Sequence, residues 1–238
     1  MYKKEKVSVV IPTYNEPESI RGIIEGFFAT GYVDEVVAVD NNARGDTEAQ
    51  IKMTRARHIK ESDHQGYGYA IMRGLREATG DLIVVVEPDG TFQPKDIEKL
   101  LAYRDEFPVV LGTRTSRSAI WSGAFMPFPV RLGNWLWAKV VEVMFNGPSL
   151  TDVGCTYKLI TRDALNRVID LFPLSKGDST FNPEFMIWLL RRNVKMIEIP
   201  VIYKQRIGDS TITGSTWKAA RLGLRMLGVI IRYRLKQI

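Results

Sequence analysis

Much of what would signal a familiar protein class is missing from this sequence. Cys155 is the one cysteine in 238 residues, which excludes an internal disulfide framework and fits a reducing, cytoplasmic setting. No uncharged apolar run reaches the roughly 18 residues that a membrane span needs. The opening Met1-Tyr-Lys-Lys-Glu-Lys6 runs straight into a strand pattern, so no signal peptide is expected. The two histidines, His58 and His64, lack metal-ligand spacing with a partner and read as structural or exposed. Gly66-Tyr-Gly-Tyr-Ala70 lacks the third glycine of a dinucleotide fingerprint, and no phosphate-loop lysine motif occurs. No base-reading motif is present, so nucleic acid is not an expected partner.

Acid is missing from the end of the chain. After Asp209 there is none, while Lys218, Arg221, Arg225, Arg232, Arg234 and Lys236 supply six bases, which account for the whole net charge of +6. Such asymmetry points to one anionic partner surface rather than a generally basic protein. At about 100° per residue, five of these bases fall within an arc of roughly 60°. Trp217, Ala220, Leu224, Leu227, Ile231 and Leu235 gather on another side. Two readings follow: a basic amphipathic helix resting on an anionic membrane surface, or a terminal helix packed on the domain.

With 45% hydrophobic and 25% charged residues, the composition is that of a folded α/β domain with a small appendage. Val7–Ile11, Glu35–Val39, Asp81–Val86 and Val109–Leu111 read as buried strands, with a short one at His58–Lys60. Asn15 reads as the cap of the first helix, with Pro17 and Glu18 behind it. Gly66–Thr79 reads as a second helix, and Pro94 opens a third. Further helices are expected at about 131–145, 161–171, 182–192 and from 216, with a strand at Met196–Tyr203. Residues 118–130 are uncharged with two prolines and read as an apolar loop. This alternation predicts an α/β fold with a mostly parallel central sheet flanked by helices. Ligands of such sheets bind beyond the carboxyl ends of the strands, where Asn15, Asp40 and Asp89 all fall.

Glu87-Pro-Asp-Gly90 places two carboxylates one residue apart at a strand end, a pattern suited to Mg²⁺ or Mn²⁺ with positions left for phosphate oxygens. The same residues also read as an ordinary turn. Asp40 could accept hydrogen bonds from a nucleobase or ribose, or simply close an Asp-Asn-Asn turn. Gly66–Ala70 would let backbone amides approach a phosphate at a helix start.

Together these segments resemble glycosyltransferase family 2. Pro12-Thr-Tyr-Asn-Glu16 resembles the family's opening motif, and Val39-Asp-Asn-Asn42 stands where Val-Asp-Asp is usual. Gly66–Ala70, Ala78-Thr-Gly-Asp81, Glu87-Pro-Asp89 and Gly112-Thr-Arg114 follow in the family's order. The nearest likeness is to polyprenyl-phosphate glycosyltransferases of the dolichyl-phosphate mannose synthase type. It extends through Asp152–Lys158, Phe181–Phe185 and Arg206–Ser210, covering about residues 7–212.

The resemblance implies a Rossmann-like GT-A fold. Residues 1–115 would form a nucleotide-sugar half, 116–212 an acceptor half, and 213–238 the basic amphipathic helix. Pro12, Tyr14, Glu16, Asp40 and Gly66 would hold a UDP- or GDP-sugar. Glu87 and Asp89 would hold Mg²⁺ or Mn²⁺. Asp89, Asp152, Arg114 and Arg206 would serve catalysis, and Arg117, Arg131, Asn134 and Ser210 would bind a polyprenyl or dolichyl phosphate. The reaction implied is inverting transfer of a hexose by a peripheral enzyme on the cytoplasmic membrane face. A saccharide or small-alcohol acceptor, and a non-catalytic binding module, are the alternatives. Three departures stand out: Glu87 for the first Asp of Asp-x-Asp, Tyr67 for a common lysine, and Gly154-Cys-Thr-Tyr-Lys158 for Ser-Gly-Phe-Arg.

Overall fold

β-branched runs in the first half leave little choice but a buried parallel sheet. The computed structural model describes residues 1–43, 45–170, 180–208 and 216–235, with side chains of the last helix from Arg225 onward. The strands are β1 (Val7–Thr13), β2 (Glu35–Asp40), β3 (Arg57–Lys60), β4 (Leu82–Val85), β5 (Val109–Thr113), β6 (Lys158–Thr161) and β7 (Met196–Pro200). Among the described residues they form one seven-stranded sheet in the order β3-β2-β1-β4-β6-β5-β7. β6 runs antiparallel to both neighbours, and the other pairings are parallel. The sheet is thus mostly parallel, as expected. β6 is the strand that sequence patterning did not mark.

The helices are α1 (Ile20–Ala29), α2 (Thr47–Lys52), α3 (Tyr67–Glu77), α4 (Ile97–Ala102), α5 (Phe128–Phe145), α6 (Arg162–Asn166), α7 (Phe181–Arg191) and α8 (Thr216–Leu235). Alternation along β1 assigns the two faces. Val9 and Ile11 pack with Ile20, Ile24 and Phe27 of α1, Ile51 of α2 and Leu100 of α4. Val10 packs with Ile71 and Leu75 of α3, and with the layer containing α5 to α8.

Several boundaries move. Ser19, not Asn15, precedes α1. Tertiary contacts hold the intervening residues out of the helix: the Glu16 amide donates to Thr47 Oγ1 (3.2 Å), and its carboxylate is engaged elsewhere. α5 begins at Phe128, inside the expected loop, and α6 is one short turn. The stretch 118–130 faces solvent: Trp121, Phe125 and Phe128 are exposed and Met126 is buried.

In α8 the packed residues are Met226, Val229, Ile230 and Tyr233, whereas Leu227, Ile231 and Leu235 of the expected apolar stripe are exposed. Tyr233 donates to Glu184 of α7 (2.9 Å), tying the two helices together. The side chains of Trp217, Lys218 and Arg221, and all of Lys236, lie outside the described residues. Among the described residues no helix is long and apolar enough to cross a membrane.

Candidate active site

Parallel pairing places the ends of β1 and β2 side by side, with Thr13 opposite Asp40 and Pro12 opposite Val39. Pro12 is buried, Tyr14 is exposed and Glu16 is half-buried on the turn that follows. Asp40 is buried, and its Oδ1 accepts the Ala43 amide (2.6 Å). The neighbouring Asn41 pins the glycine loop, because its Oδ1 accepts the Gly66 amide (2.7 Å). Gly66, at φ 149°, has a backbone that favours glycine and leads directly into α3.

β4 ends beside β1 and delivers Glu87 and Asp89 to the same edge. The turn reading is realised, since Gly90 has φ 78° and Asp89 Oδ1 accepts the Thr91 amide and hydroxyl (3.0 and 2.6 Å). The turn uses one oxygen. The other, Oδ2, accepts from Arg206 Nη1 at 3.0 Å, while Arg206 Nη2 donates to Glu16 Oε1. Arg206 Nε is buried with no hydrogen-bond partner among the described residues.

Charge in this corner is unbalanced. Burial pushes the Glu16 carboxyl up to about 7; Arg206 opposes the shift, and Asp89 and Glu87 add to it. Burial and the Asp89 charge also raise Glu87. Arg206 thus faces three carboxylates, and Arg114, itself bound to Asp152, also eases the charge on Glu87. A hard divalent cation would offset that excess, and Glu87 and Asp89 are oxygen donors of the right kind for it. A different group of three ligand-type side chains, Asp40, Glu48 and His58, brings its atoms within 4.8 Å of one another. The β2–β3 register puts His58 opposite Ala38, and its Nε2 lies 3.4 Å from Asp40 Oδ2. Glu48 is already paired with Lys52 and Lys60 at 2.6 and 3.9 Å. Sequence spacing alone did not bring His58 to Asp40. His64, by contrast, is exposed and stacks on Tyr69 at 4.8 Å.

Arg114 leaves β5 and meets Asp152 in a two-pronged pair. Its Nε donates to Oδ2 (2.8 Å) and its Nη2 to Oδ1 (2.9 Å). The Arg114 amide (2.9 Å) and the Gly154 amide (3.2 Å) also donate to this carboxylate. Burial disfavours the Arg114 charge, but Asp152 outweighs it and holds the group well above its ordinary pKa. Glu198 of β7 fixes the loop carrying Asp152 by accepting the Thr151 amide (2.7 Å) and hydroxyl (2.6 Å), and the Asp152 amide (2.9 Å). Asn134 lies against the same loop: a Cβ added to Gly154 would stand 3.3 Å from its Oδ1 and 3.2 Å from Arg114 Nη2.

Arg117 and Arg131 are not drawn into this cluster. Arg117 is exposed on a short 3-10 turn, and Arg131 stacks over Phe128 at 5.7 Å. Ser210 lies outside the described residues. Sequence reasoning missed Thr156 and Asn182, which sit beneath Glu87, and Glu198. Thr156 lay within a quoted motif, but nothing in its spacing marked it as a contact of Glu87.

Residues 8–169 match the family described as "Glycosyl transferase family 2". An undecaprenyl-phosphate 4-deoxy-4-formamido-L-arabinose transferase from Enterobacter sp. (strain 638) is 32% identical over 217 residues, which is 86% of this chain and 62% of that protein. The chain therefore spans under two thirds of that relative. An undecaprenyl-phosphate mannosyltransferase from Micrococcus luteus is 25% identical over 240 residues, covering 96% of each. Among solved structures, glucosyl-3-phosphoglycerate synthase from Mycobacterium tuberculosis, crystallised with Mn²⁺, uridine diphosphate and phosphoglyceric acid, superimposes with a TM-score of 0.74. Identity there is 16%, and the match covers 99% of this chain and 80% of that one, so it speaks for the fold.

Proposed function

Since the chain belongs to glycosyl transferase family 2, we propose that it moves a hexose from a UDP- or GDP-sugar to a polyprenyl phosphate, with inversion at the anomeric carbon. The observation that carries this reading is the corner built by Glu16, Glu87, Asp89 and Arg206. It combines excess carboxylate with a buried guanidinium N–H that has no partner among the described residues. Carboxylates alone would repel a diphosphate, and a guanidinium alone would not bring a metal. Together they suit a metal–diphosphate complex.

In this reading Glu87 and Asp89 would hold Mg²⁺ or Mn²⁺, whose chemistry is to neutralise charge on the departing diphosphate. Pro12, Tyr14 and Asp40 line the nucleoside end, and Gly66 opens the α3 amides toward phosphate. Arg206 turns its Nε to a phosphate oxygen, a charge-assisted contact. The acceptor half draws on Arg117, Arg131, Asn134 and the segment containing Ser210.

The state of Asp152 favours a phosphate acceptor. A sugar hydroxyl needs a base, whereas a phosphate monoester is already anionic at neutral pH. The Asp152 carboxylate takes four donated hydrogen bonds and is fully buried against Arg114. That suits a clamp that shapes the acceptor loop better than a proton acceptor.

The lipid reading gains from the exposed side chains Phe125, Phe128, Leu132, Trp135 and Leu136, an apolar surface beside Asn134. Leu227, Ile231 and Leu235 of α8 add a second exposed strip, flanked on one side by the exposed Arg225 and Arg232. The proposed setting is peripheral attachment to an anionic membrane on its cytoplasmic side.

A thermal-shift panel tests the donor side, because ligand binding raises stability by mass action. UDP- or GDP-sugars should raise the melting temperature with Mn²⁺ and do so less without it. No shift with any donor, with or without metal, would defeat the proposal.

A further inference from the structure

Beneath Glu87 lies a layer of polar groups that the proposed reaction does not itself call for. Lys158 of β6 is 2% exposed, Thr156 0% and Asn182 of α7 6%. Among the described residues Lys158 forms no ion pair within 4.0 Å; its Nζ donates to Asn182 Oδ1 at 2.7 Å and lies 5.9 Å from the centre of the Phe185 ring. A lysine buried without a carboxylate is costly, and its site on β6 is otherwise apolar: Ile160 on the same face belongs to the core. An apolar side chain would serve packing at least as well.

The direction of the hydrogen bonds explains the lysine. An ammonium only donates, so the Asn182 oxygen must face Lys158 and its amide nitrogen must face away. That nitrogen donates to Thr156 Oγ1 (3.1 Å) and to the Gly154 carbonyl (3.1 Å). Thr156 Oγ1 also bonds the Tyr67 hydroxyl, and both hydroxyls reach Glu87 Oε1, at 2.9 Å from Thr156 and 3.4 Å from Tyr67. If Tyr67 donates to Thr156, the Thr156 proton goes to Glu87. If Thr156 donates to Tyr67, the Tyr67 proton goes there. Either way one O–H is directed at the same carboxylate oxygen, and the ammonium fixes the orientation of the Asn182 amide that donates to Thr156. Two departures from the family pattern, Glu87 and Tyr67, meet in this contact: the longer glutamate reaches back to the tyrosine.

We propose that Lys158, Asn182, Thr156 and Tyr67 are positioning residues that hold Glu87 Oε1 from below and so set how tightly the acidic corner binds a divalent cation. The inference rests on the metal reading given above. Partners that orient metal-ligating carboxylates typically change metal affinity by about 10- to 100-fold when removed.

The test is titration of the full chain with MnCl₂, alone and with UDP or GDP, following free Mn²⁺ by electron paramagnetic resonance. Thr156→Val should weaken Mn²⁺ binding about tenfold and Thr156→Ser less than about twofold. Tyr67→Phe should cost about twofold, because Thr156 still supplies its proton. The double variant Tyr67→Phe/Thr156→Val should lose more than the product of the two single losses, since each hydroxyl backs up the other. A merely structural role would give no rescue by serine and no such coupling. Should Thr156→Val melt below the assay temperature, Thr156→Ala carries the same expectation. If Thr156→Val binds Mn²⁺ as the parent does while Asp89→Asn has lost it, the positioning role is wrong and the metal reading stands. If the parent binds no Mn²⁺ under any of these conditions, both fall.

Discussion

Arg206 Nη1 and Asp89 Oδ2 stand 3.0 Å apart although 117 positions separate them in sequence. The segment after β7 thereby supplies a positive charge to the carboxylate at the end of β4. The same guanidinium reaches Glu16 beyond β1, so one side chain ties together three distant parts of the chain. In the proposed reaction it is the bond to Asp89 that a metal–diphosphate complex would compete for.

Asp89→Asn tests that corner without disturbing the turn. Asparagine keeps the Oδ1 that accepts from Thr91, so the fold should survive, as checked by circular dichroism. Transfer from a nucleotide sugar should fall by about 10²-fold or more, the scale of losing one preorganised charge contact.

Asp152→Asn separates clamp from base. The carboxylate is fully buried and Arg114 nearly so, and breaking such a pair typically costs about 3–5 kcal/mol. Urea unfolding should show a destabilisation of that order. Transfer lost at unchanged stability would instead mark Asp152 as an essential base.

Glu198 predicts a pH effect on stability. Burial raises its carboxyl to about 7, against the pull of its bonds from Thr151 and Asp152. The folded chain thus holds this proton more tightly than the unfolded chain, whose glutamates titrate near 4.3. The contribution is complete below about pH 4.3 and is lost as pH rises through about 7. Glu16 acts in the same direction. Unfolding free energy in urea should therefore drop between pH 5 and 7.5, and Glu198→Gln should make the drop shallower. An unchanged slope would remove Glu198 from this account.

Trp135→Glu combined with Leu136→Glu probes the exposed face of α5. Both side chains are exposed, at 43% and 52%, so the melting temperature should change little. Sedimentation with anionic vesicles should drop several-fold. Equal sedimentation of variant and parent would exclude this face as a membrane contact.

Contact distance along the chain decided what was legible. β1, β2 and β4 announce themselves as local β-branched runs, and the polar residues at their ends are next in sequence, so Asp40, Glu87 and Asp89 could be read directly, while Glu16 came only through the family resemblance. β6 could not, because its four residues take their place through antiparallel pairing with β4 and β5. The same insertion delivers Thr156 to Glu87, 69 positions away, and Lys158 to Asn182, 24 positions away. The pairing of Asp152 with Arg114, 38 residues earlier, left no local sign either. The outward-facing stripe of α8 shows the limit of periodicity: a helical pattern identifies apolar faces, but packing decides which one is covered. Here Tyr233 and Met226 took the covered position.

The proposed reaction is metal-assisted hexose transfer at the Glu87–Asp89 corner. Its most direct test supplies labelled UDP- and GDP-hexoses and a polyprenyl phosphate in anionic vesicles, with Mn²⁺ or with EDTA, and measures the label that becomes lipid-linked. The prediction is lipid-linked hexose with Mn²⁺ and almost none with EDTA. Transfer undiminished by EDTA, or no transfer by folded protein from any donor, would contradict it.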